Sequence, residues 1–230
     1  MVADIPVITV DGPSGAGKGT ISHMLADTLG WHFLDSGALY RVTGQACLIE
    51  GVSWDDHPGV TEIARHLDVS FTTAASGEFL VAYKGRDVSR DIRTEEGGRG
   101  ASTVATIPSV REALLARQRE FRQPPGLVAD GRDMGTAVFP SADLKIFLTA
   151  SARERAERRY KQLIAKGENV SLPRLLKDIE ERDERDSSRD VSPLVPAEDA
   201  IVIDSTATPI EAVFDQVMQK VTEKGLNALR

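Results

Sequence analysis

One glycine-rich turn near the start of the chain constrains its fold more than any other feature. The stretch VDGPSGAGKGT, Val10 to Thr20, follows a β-branched run at Ile5 to Val10 that is typical of a buried strand. The pattern from Lys18 to Leu29 places apolar residues on one helical face, and Gly30 follows as a stop signal. A strand, a glycine-rich loop and a helix in this order form the context in which backbone N–H groups bind phosphate.

The loop departs from the Walker A motif, G-x-x-x-x-G-K-[ST], at one position. Gly12, Gly17 and Lys18 have the required spacing, but Gly19 replaces the hydroxyl that holds magnesium, and Thr20 comes one place late. This change, and the lack of an Asn-Lys-x-Asp sequence, weaken a GTPase interpretation. The glycines at 12, 15, 17 and 19 permit positive φ angles and close approach to a phosphate. The predicted ATP-binding residues are Gly12, Pro13, Ser14, Gly15, Ala16, Gly17, Lys18, Gly19 and Thr20.

Short buried strands alternate with helical patterns over much of the chain. Such alternation predicts an α/β fold with a parallel sheet flanked by helices. A second helix is predicted from Ala38 to Ile49. The five predicted strands are Ile5–Val10, Phe33–Asp35, Leu127–Asp130, Lys145–Leu148 and Ile201–Asp204.

Two segments fall outside this simple alternation. Val69 to Tyr83 has two β-type runs around a Ser76-Gly77 turn, which predicts an antiparallel hairpin. Ser151 to Arg189 has a helical pattern and is crowded with arginine.

The composition excludes several classes of protein. The formal net charge of −7 argues against non-specific binding to nucleic acid or anionic membranes, because both need basic surfaces. No apolar run approaches about 18 residues, so we expect no membrane span. The single cysteine, Cys47, predicts a buried thiol in a reducing, cytoplasmic setting. The histidines lack metal-ligand spacing, and no dimerisation signal is evident, so we expect a monomer.

Four further stretches identify a family. LDSGALYR (Leu34 to Arg41), VREALLARQREF (Val110 to Phe121), DGRDMGTAVFP (Asp130 to Pro140) and RDERDSSRDVSPLVPA (Arg182 to Ala197) strongly resemble motifs of bacterial cytidylate kinases. The resemblance runs from the first strand to Asp204-Ser205-Thr206. It also accounts for Gly19, since nucleoside monophosphate kinases carry the loop form G-x-x-G-x-G-K-G-T.

The resemblance implies an ATP:CMP phosphotransferase that also accepts dCMP, with Mg²⁺ as a cofactor. It implies a P-loop NTPase fold of three layers, with a five-stranded parallel sheet, an antiparallel insert and a short helical lid. The core is then expected at 1–60, 105–150 and 198–230, the monophosphate-binding insert at about 61–104, and the lid at about 151–190.

The resemblance also implies how the base is recognised. Cytosine presents an amino donor and two acceptors, so its site needs a carboxylate and hydrogen-bond donors. In the family these roles fall on the residues that match Asp133, Arg111 and Ser102. Uracil would turn an acceptor toward Asp133, so that two acceptors face each other. A buried mismatch of this kind disfavours the wrong base relative to cytosine by about 10⁴-fold or more. The alternative for Asp133 is the N-cap of a helix.

Phosphate and sugar contacts follow in the same way. Arg41 and Arg132 match residues that bind the CMP phosphate, for which a planar guanidinium is suited. The alternative for a lone arginine is an exposed surface side chain. Ser36 and Asp186 match residues that contact the CMP sugar and its surroundings, and Arg182 matches a residue near the ribose and phosphates. Arg189 matches a residue near the nucleotide in the closed lid.

Several charged residues admit a simpler interpretation. Asp183, Arg153, Arg155 and Arg159 are interpreted as ion pairs on exposed helices, three or four residues apart. Asp130 and Asp204 both end apolar strands, and either is a candidate for holding a magnesium-bound water. Asp11, before the loop, is a candidate structural residue.

No protein nucleophile is expected, because the CMP phosphate itself attacks. The catalytic candidates are Lys18, Arg132, Arg158 and Arg182, which surround the moving phosphoryl group. Two other functions stay open from the sequence. One is a different small-molecule P-loop kinase, acting for example on a sugar acid, and the other is a regulatory module that binds ATP without turnover.

Overall fold

The computed structural model describes residues 5–73, 79–165 and 167–228. The chain divides into two compact units, one formed by residues up to Asp35 and from Arg119 onward, the other by Ser36–Gln118. No helix in the described part of the chain has both the length and the apolar character needed to cross a membrane. Along the chain the elements are β1 (Val7–Asp11), α1 (Lys18–Leu29), β2 (His32–Asp35), α2 (Ser36–Glu50), α3 (His57–Arg65), β3 (Val69–Thr73), β4 (Phe79–Tyr83), β5 (Arg86–Asp87), α4 (Glu95–Val104), α5 (Pro108–Glu120), β6 (Leu127–Gly131), β7 (Leu144–Thr149), α6 (Ala152–Ala165), α7 (Leu172–Ser187), β8 (Ile201–Asp204) and α8 (Ile210–Glu223), with short helical turns at Asp91–Arg93, Met134–Val138 and Leu226–Ala228.

The first unit is built on a five-stranded sheet in the order β2-β6-β1-β7-β8. All four neighbouring pairs are parallel. The five strands predicted from the sequence are therefore confirmed, with ends that differ by up to two residues. β1 lies at the centre, so the loop that follows it opens at the carboxyl edge of the sheet, where α/β proteins gather their sites.

Helices α1 and α8 pack on the same apolar face of this sheet. Ile8 and Val10 of β1 alternate toward them and are fully buried. Ile21 and Leu25 of α1 and Val213 of α8 belong to the same core. Helix α1 ends as predicted, because Gly30 takes a left-handed conformation and donates its N–H to the carbonyl of Ala26.

Helices α6 and α7 share a smaller apolar core of their own. Ala156 and Leu163 of α6 and Leu175 of α7 are buried together. The predicted helical segment from Ser151 to Arg189 is thus two helices that pack against each other. Their remaining faces are free to carry the many arginines of this segment.

The second unit contains the predicted hairpin. β3 and β4 pair antiparallel, with Val69 opposite Tyr83, and the two-residue strand β5 extends the sheet. The hairpin is therefore confirmed, while its predicted Ser76-Gly77 turn lies outside the described residues. The insert expected at 61–104 lies within this unit, which also includes α2 and most of α5.

Candidate active site

The loop between β1 and α1 needs glycine at three positions. Gly12, Gly15 and Gly17 have φ angles of 144°, 82° and 94°, in a region that L side chains rarely adopt. A Cβ at Gly12 would also clash with the backbone oxygen of Leu148 in β7. The expectation of a positive φ is wrong for Gly19, which lies in α1 and has a helical backbone.

Side chains hold three carbonyl groups of this loop. Lys18 donates to the carbonyl of Pro13 at 3.1 Å, and Arg155 donates to that of Ser14 at 3.1 Å. Ser205, which follows β8, donates through Oγ to the carbonyl of Ala16 at 2.9 Å. In a planar trans peptide the C=O and the next N–H point in opposite directions. Anchoring the carbonyls of Ser14 and Ala16 therefore turns the N–H groups of Gly15 and Gly17 away from these two anchors, as a nest for an anion requires.

Lys18 is buried beside an acid. Its Nζ lies 3.8 Å from Oδ1 of Asp130, and both side chains are largely shielded from solvent. Burial lowers the pKa of Lys18 to about 8, with a further contribution from the positive charge of Arg132 and opposition from Asp130. Lys18 is therefore a positive group that lacks the solvation of an ordinary surface lysine. The negative charge of a bound triphosphate would stabilise the protonated form of Lys18.

Asp130 is the penultimate residue of β6 and lies beside the start of α1. It is opposite Val10 in β1 and opposite Asp35 in β2. Burial raises the pKa of Asp130 to about 6, and the nearby charge of Asp35 raises it further, while Lys18 lowers it. A Cβ at Gly19 would lie 3.5 Å from Oδ2 of Asp130, so this carboxylate lies beside the position where other P-loops carry a hydroxyl.

Asp204 has a different environment. Its side chain is exposed, and Oδ1 accepts from the N–H of Thr206 at 2.8 Å and from its hydroxyl at 2.5 Å. Of the two candidate acids, Asp130 is the one beside Lys18. Among the described residues, no group of three or more His, Cys, Asp or Glu side chains could hold a metal ion by itself.

Three predicted site residues meet around the carboxylate of Asp186 in α7. Nε of Arg132 lies 3.0 Å from Oδ2, and Nη2 of Arg189 lies 3.3 Å from Oδ1. Burial raises the pKa of Asp186, but the charges of Arg132, Arg182 and Arg189 outweigh it and lower the pKa below its usual range. Arg182 also lowers the pKa of Lys18, so its charge acts on both groups.

Arg158 donates hydrogen bonds to the loop that follows β8. Its Nη2 donates to the carbonyls of Ser205 at 2.5 Å and Thr206 at 3.3 Å, and its Nε pairs with Glu154 at 3.0 Å. These partners are mostly backbone groups of the loop after β8. A catalytic role for Arg158 stays a prediction.

The segment that contains Arg132 and Asp133 is held by charges at both ends. Asp133 occupies the N-cap position of the helical turn Met134–Val138, but its side chain makes no capping hydrogen bond. Asp11 caps the turn instead, since its two oxygens accept from the N–H groups of Met134 and Gly135, each at 2.8 Å. The capping alternative for Asp133 is therefore wrong.

At the other end of the turn, Arg119 donates to the carbonyls of Val138 at 3.0 Å and Ala137 at 3.2 Å. An acid at the N-terminus and a base at the C-terminus both complement the helix dipole. Burial raises the pKa of Asp11 to about 7, although the two N–H donors lower it. Asp11 thus has the structural role expected of it, and it connects the phosphate loop with the segment of Asp133.

For Arg155 and Asp183, the interpretation as members of ion pairs within their own exposed helices is wrong. Arg155 is 3% exposed, and its guanidinium makes a two-pronged contact with Asp183, 28 residues further along the chain. The same interpretation is confirmed for Arg153, which is exposed and pairs with Glu157 one turn later at 3.1 Å.

The second unit carries the other four predicted site residues. Ser36 begins α2 and is buried, and Arg41 in the same helix donates to the carbonyl of Ile92 at 2.8 Å. Ser102 is buried in α4. Arg111 in α5 is buried too, and donates at 3.3 Å to the carbonyl of Ala105, the residue that ends α4.

Arg111 also contacts an aromatic ring. Its guanidinium carbon lies 5.5 Å from the centroid of Tyr40, the residue before Arg41. A close approach of α2 and α4 supports this arrangement, because a Cβ at Gly44 would lie 3.0 Å from the carbonyl carbon of Gly100. The structure thus brings the end of α4, the start of α5 and the start of α2 together within this unit.

Sequence reasoning missed four residues with polar contacts to the site: Asp11 as a clamp, Arg119, Arg155 and Asp183. One signal was available for Arg155. It lies in the first turn of the helix after β7, at the carboxyl edge of a parallel sheet, where binding groups collect.

Comparison with known proteins identifies the family. The family model described as cytidylate kinase matches residues 8–223. The cytidylate kinase of Marinomonas sp. (strain MWYL1) is 56% identical over 226 residues, covering 98% of this chain and 100% of that protein. The cytidylate kinase of Stutzerimonas stutzeri (strain A1501) is 55% identical, with coverages of 98% and 99%. That of Aeromonas hydrophila is 59% identical over 213 residues, with coverages of 93% and 92%. This chain belongs to the cytidylate kinase family.

Proposed function

We propose that this protein transfers the terminal phosphoryl group of ATP to CMP and dCMP, producing CDP and dCDP. The observation that carries the proposal is the charge cluster at the carboxyl edge of the sheet. There Lys18 of the phosphate loop lies beside Asp130, and the charge of Arg132 acts on Lys18. Lys18, proposed for the ATP phosphates, and Arg132, proposed for the CMP phosphate, thus lie at the same edge of the sheet.

The reaction needs no nucleophile from the protein. An oxygen of the CMP phosphate attacks the γ-phosphorus of ATP, and the bond between that phosphorus and the bridging β-oxygen breaks, which releases ADP. The protein aligns the two phosphates and stabilises the negative charge on the transferred group. Lys18, Arg132, Arg158 and Arg182 are the proposed residues for this second task.

The residues from Gly12 to Thr20 bind the donor phosphates through backbone N–H groups and Lys18. The acceptor phosphate binds Arg41 and Arg132. Because Asp186 already pairs with Arg132, this arginine is held ready for the phosphate rather than extended into solvent. Ser36 and Asp186 are proposed to contact the sugar and its surroundings, and Arg182 the ribose and the phosphates. Arg189 is proposed to lie near the nucleotide when the lid is closed.

Base selection falls to Asp133, Arg111 and Ser102. A carboxylate at Asp133 accepts from the amino group of cytosine, and Arg111 and Ser102 donate to its acceptors. The support for this assignment is that Asp11 caps the turn after Asp133, so that the helix does not need the side chain of Asp133 as its cap.

The residues of the loop fit a magnesium ion that is held mainly by nucleotide oxygens and water. Mg²⁺ keeps several waters when it binds a nucleotide, and one or two carboxylates suffice to orient them. Asp130 is the proposed carboxylate, because it lies beside the bare position of Gly19. When bound, the ion neutralises charge on the phosphates.

The segments around this site have separate tasks in the proposal. The insert at about 61–104 belongs to the monophosphate-binding region, and the segment at about 151–190 is the lid. Closure of the lid excludes water, which would otherwise hydrolyse ATP. We further propose that the protein acts as a cytoplasmic monomer.

A coupled assay of ADP release tests the proposal. ATP is combined in turn with CMP, dCMP, UMP, AMP and GMP. We expect rapid turnover with CMP and dCMP, much slower turnover with UMP, and none with AMP or GMP. Rapid use of AMP without use of CMP would contradict the proposal, as would binding of ATP without turnover of any acceptor.

A further inference from the structure

The buried guanidinium of Arg155 contacts three parts of the first unit. Its Nε donates to the carbonyl of Ala150, just after β7, at 2.9 Å. Its Nη1 lies 3.1 Å from the carbonyl oxygen of Ser14 in the phosphate loop and 3.0 Å from Oδ1 of Asp183 in α7. Its Nη2 contacts the other oxygen of Asp183. One side chain therefore connects the sheet, the phosphate loop and α7.

The contact with Ser14 affects the direction of an N–H group in the nest. Because the peptide between Ser14 and Gly15 is planar, holding the carbonyl of Ser14 turns the N–H of Gly15 the opposite way. Gly15 also packs closely on this arginine, since a Cβ there would lie 3.3 Å from Cβ of Arg155. Arg155 thus packs against the phosphate loop on the side opposite to the N–H of Gly15.

The contact with Asp183 fixes one turn of α7. Asp183 and Asp186 are three residues apart and so lie on one helical face. Asp183 binds Arg155, while Asp186 binds Arg132 at the end of β6. Asp183 is therefore connected through Arg155 to the donor loop, and Asp186 is bound to the proposed acceptor-phosphate arginine.

We infer that Arg155 and Asp183 are positioning residues for phosphoryl transfer. Their pair holds α7 in register with the phosphate loop, so that Arg182 and Arg189 face the reacting phosphates and Asp186 keeps its pair with Arg132. Asp183 acts on alignment alone, whereas Arg155 acts on alignment and on the shape of the loop. This inference rests on the proposed function, because the register is judged by transfer to CMP.

Three variants separate these roles in steady-state kinetics with ATP and CMP. Asp183→Asn keeps the size of the side chain and leaves the contact between Arg155 and Ser14 in place. We expect its kcat to fall by about tenfold or more, since small misplacements of reacting groups have large effects on rate, with KM for ATP changed by less than about twofold. Arg155→Met is expected to lower kcat and also raise KM for ATP.

In the double variant, Asp183→Asn is expected to have little further effect on Arg155→Met, because the partner is already absent. Asp183→Glu restores the carboxylate and is expected to recover part of kcat. The matched control is Glu157→Gln in α6, which breaks the exposed pair with Arg153 and is expected to keep wild-type kinetics.

Hydrogen exchange provides a measurement that does not depend on activity. In the nucleotide-free protein, we expect the amides of α7 to exchange faster in Asp183→Asn than in the wild type or in Glu157→Gln. Wild-type kcat and wild-type exchange in Asp183→Asn would overturn the inference, as would equal losses in the Glu157→Gln control. If the wild-type protein does not phosphorylate CMP, the proposed function fails, and the exchange of α7 alone decides whether the pair fixes this helix.

Discussion

Nε of Arg132 lies 3.0 Å from Oδ2 of Asp186, and the other oxygen of the same carboxylate lies 3.3 Å from Nη2 of Arg189. The two arginines reach Asp186 from β6 and from the segment after α7. The carboxylate is 7% exposed, so these charges neutralise one another with little help from solvent. Removing the acid therefore takes away the carboxylate that both arginines share.

Asp186→Asn should lower the free energy of unfolding at pH 7 by about 3 kcal/mol, because the loss of one partner of a buried ion pair leaves the other uncompensated. The pKa of Asp186 is lowered in the folded protein, so this stabilisation is fully present above the unfolded pKa near 4 and is lost as the pH falls through the lower folded pKa. Urea unfolding at pH 7 and at a series of pH values below 4 measures both effects. Glu223→Gln, which breaks an exposed pair with Lys220, should change stability by less than about 0.5 kcal/mol. A difference between wild type and Asp186→Asn that does not shrink at low pH would refute the electrostatic explanation.

Asp133→Asn should lower discrimination between CMP and UMP while leaving KM for ATP nearly unchanged. The asparagine presents an amide that can rotate to suit either base, whereas the carboxylate only accepts hydrogen bonds. We expect the ratio of kcat/KM values for CMP and UMP to fall by at least about 100-fold. Steady-state kinetics with each acceptor measure the ratio. Equal losses in the kinetics for ATP and CMP would indicate a role in folding instead.

The affinity for ATP should decline in alkaline solution because of Lys18. Burial lowers the pKa of this lysine to about 8, so the free protein loses its charge above that pH, while bound phosphates keep the lysine protonated. The dissociation constant of ATP should therefore rise about tenfold between pH 7 and pH 9.

Calorimetry in buffers of different ionisation enthalpy should detect uptake of nearly one proton per ATP at pH 9. The control is Lys18→Met, which should bind ATP weakly at every pH and take up no proton. Equal affinity of the wild-type protein at pH 7 and pH 9 would show that Lys18 is already fully charged before ATP binds.

Alanine substitutions at two glycines of the phosphate-binding motif, one in the loop and one in α1, should have opposite effects on stability. Gly12→Ala should destabilise the protein by at least about 3 kcal/mol, since φ is 144° and the new Cβ would clash with the backbone oxygen of Leu148. Gly19→Ala should stabilise α1 by up to about 1 kcal/mol, since its Cβ would make only ordinary contact with Asp130. Thermal unfolding of both variants measures the difference. A Gly12→Ala protein as stable as the wild type would contradict the close approach of the loop to β7.

The sheet and the phosphate loop were predictable because their signals are local. Each buried strand is a short apolar run, and the loop from Gly12 to Lys18 has its signature within a few residues. The two-residue strand β5 was not predicted, since it exists only through pairing with β4. Gly19 shows a limit of motif reasoning, because it belongs to the motif but has an ordinary helical backbone.

The charged residues of the site were harder to interpret, because their roles depend on distant partners. Asp133 has the sequence position of a helix cap, yet Asp11 supplies the cap. The residues that donate to Asp11 lie 123 and 124 positions further along the chain. Arg155 and Asp183 have the spacing of surface charges within their own helices, and only the packing of α6 against α7 brings them together. Helical periodicity indicates which face of a helix is buried, but not which charged residues of two packed helices meet.

The clamp by Asp11 bears on the redesign of acceptor specificity. The residue directly before the phosphate loop also fixes the turn after Asp133, the proposed base-reading residue, so one carboxylate serves both segments. A segment such as 132–139, transplanted from another kinase, would therefore need a matching acid at position 11 to take up its working shape. Libraries that vary both places together should yield active chimeras more often than libraries that vary the turn alone.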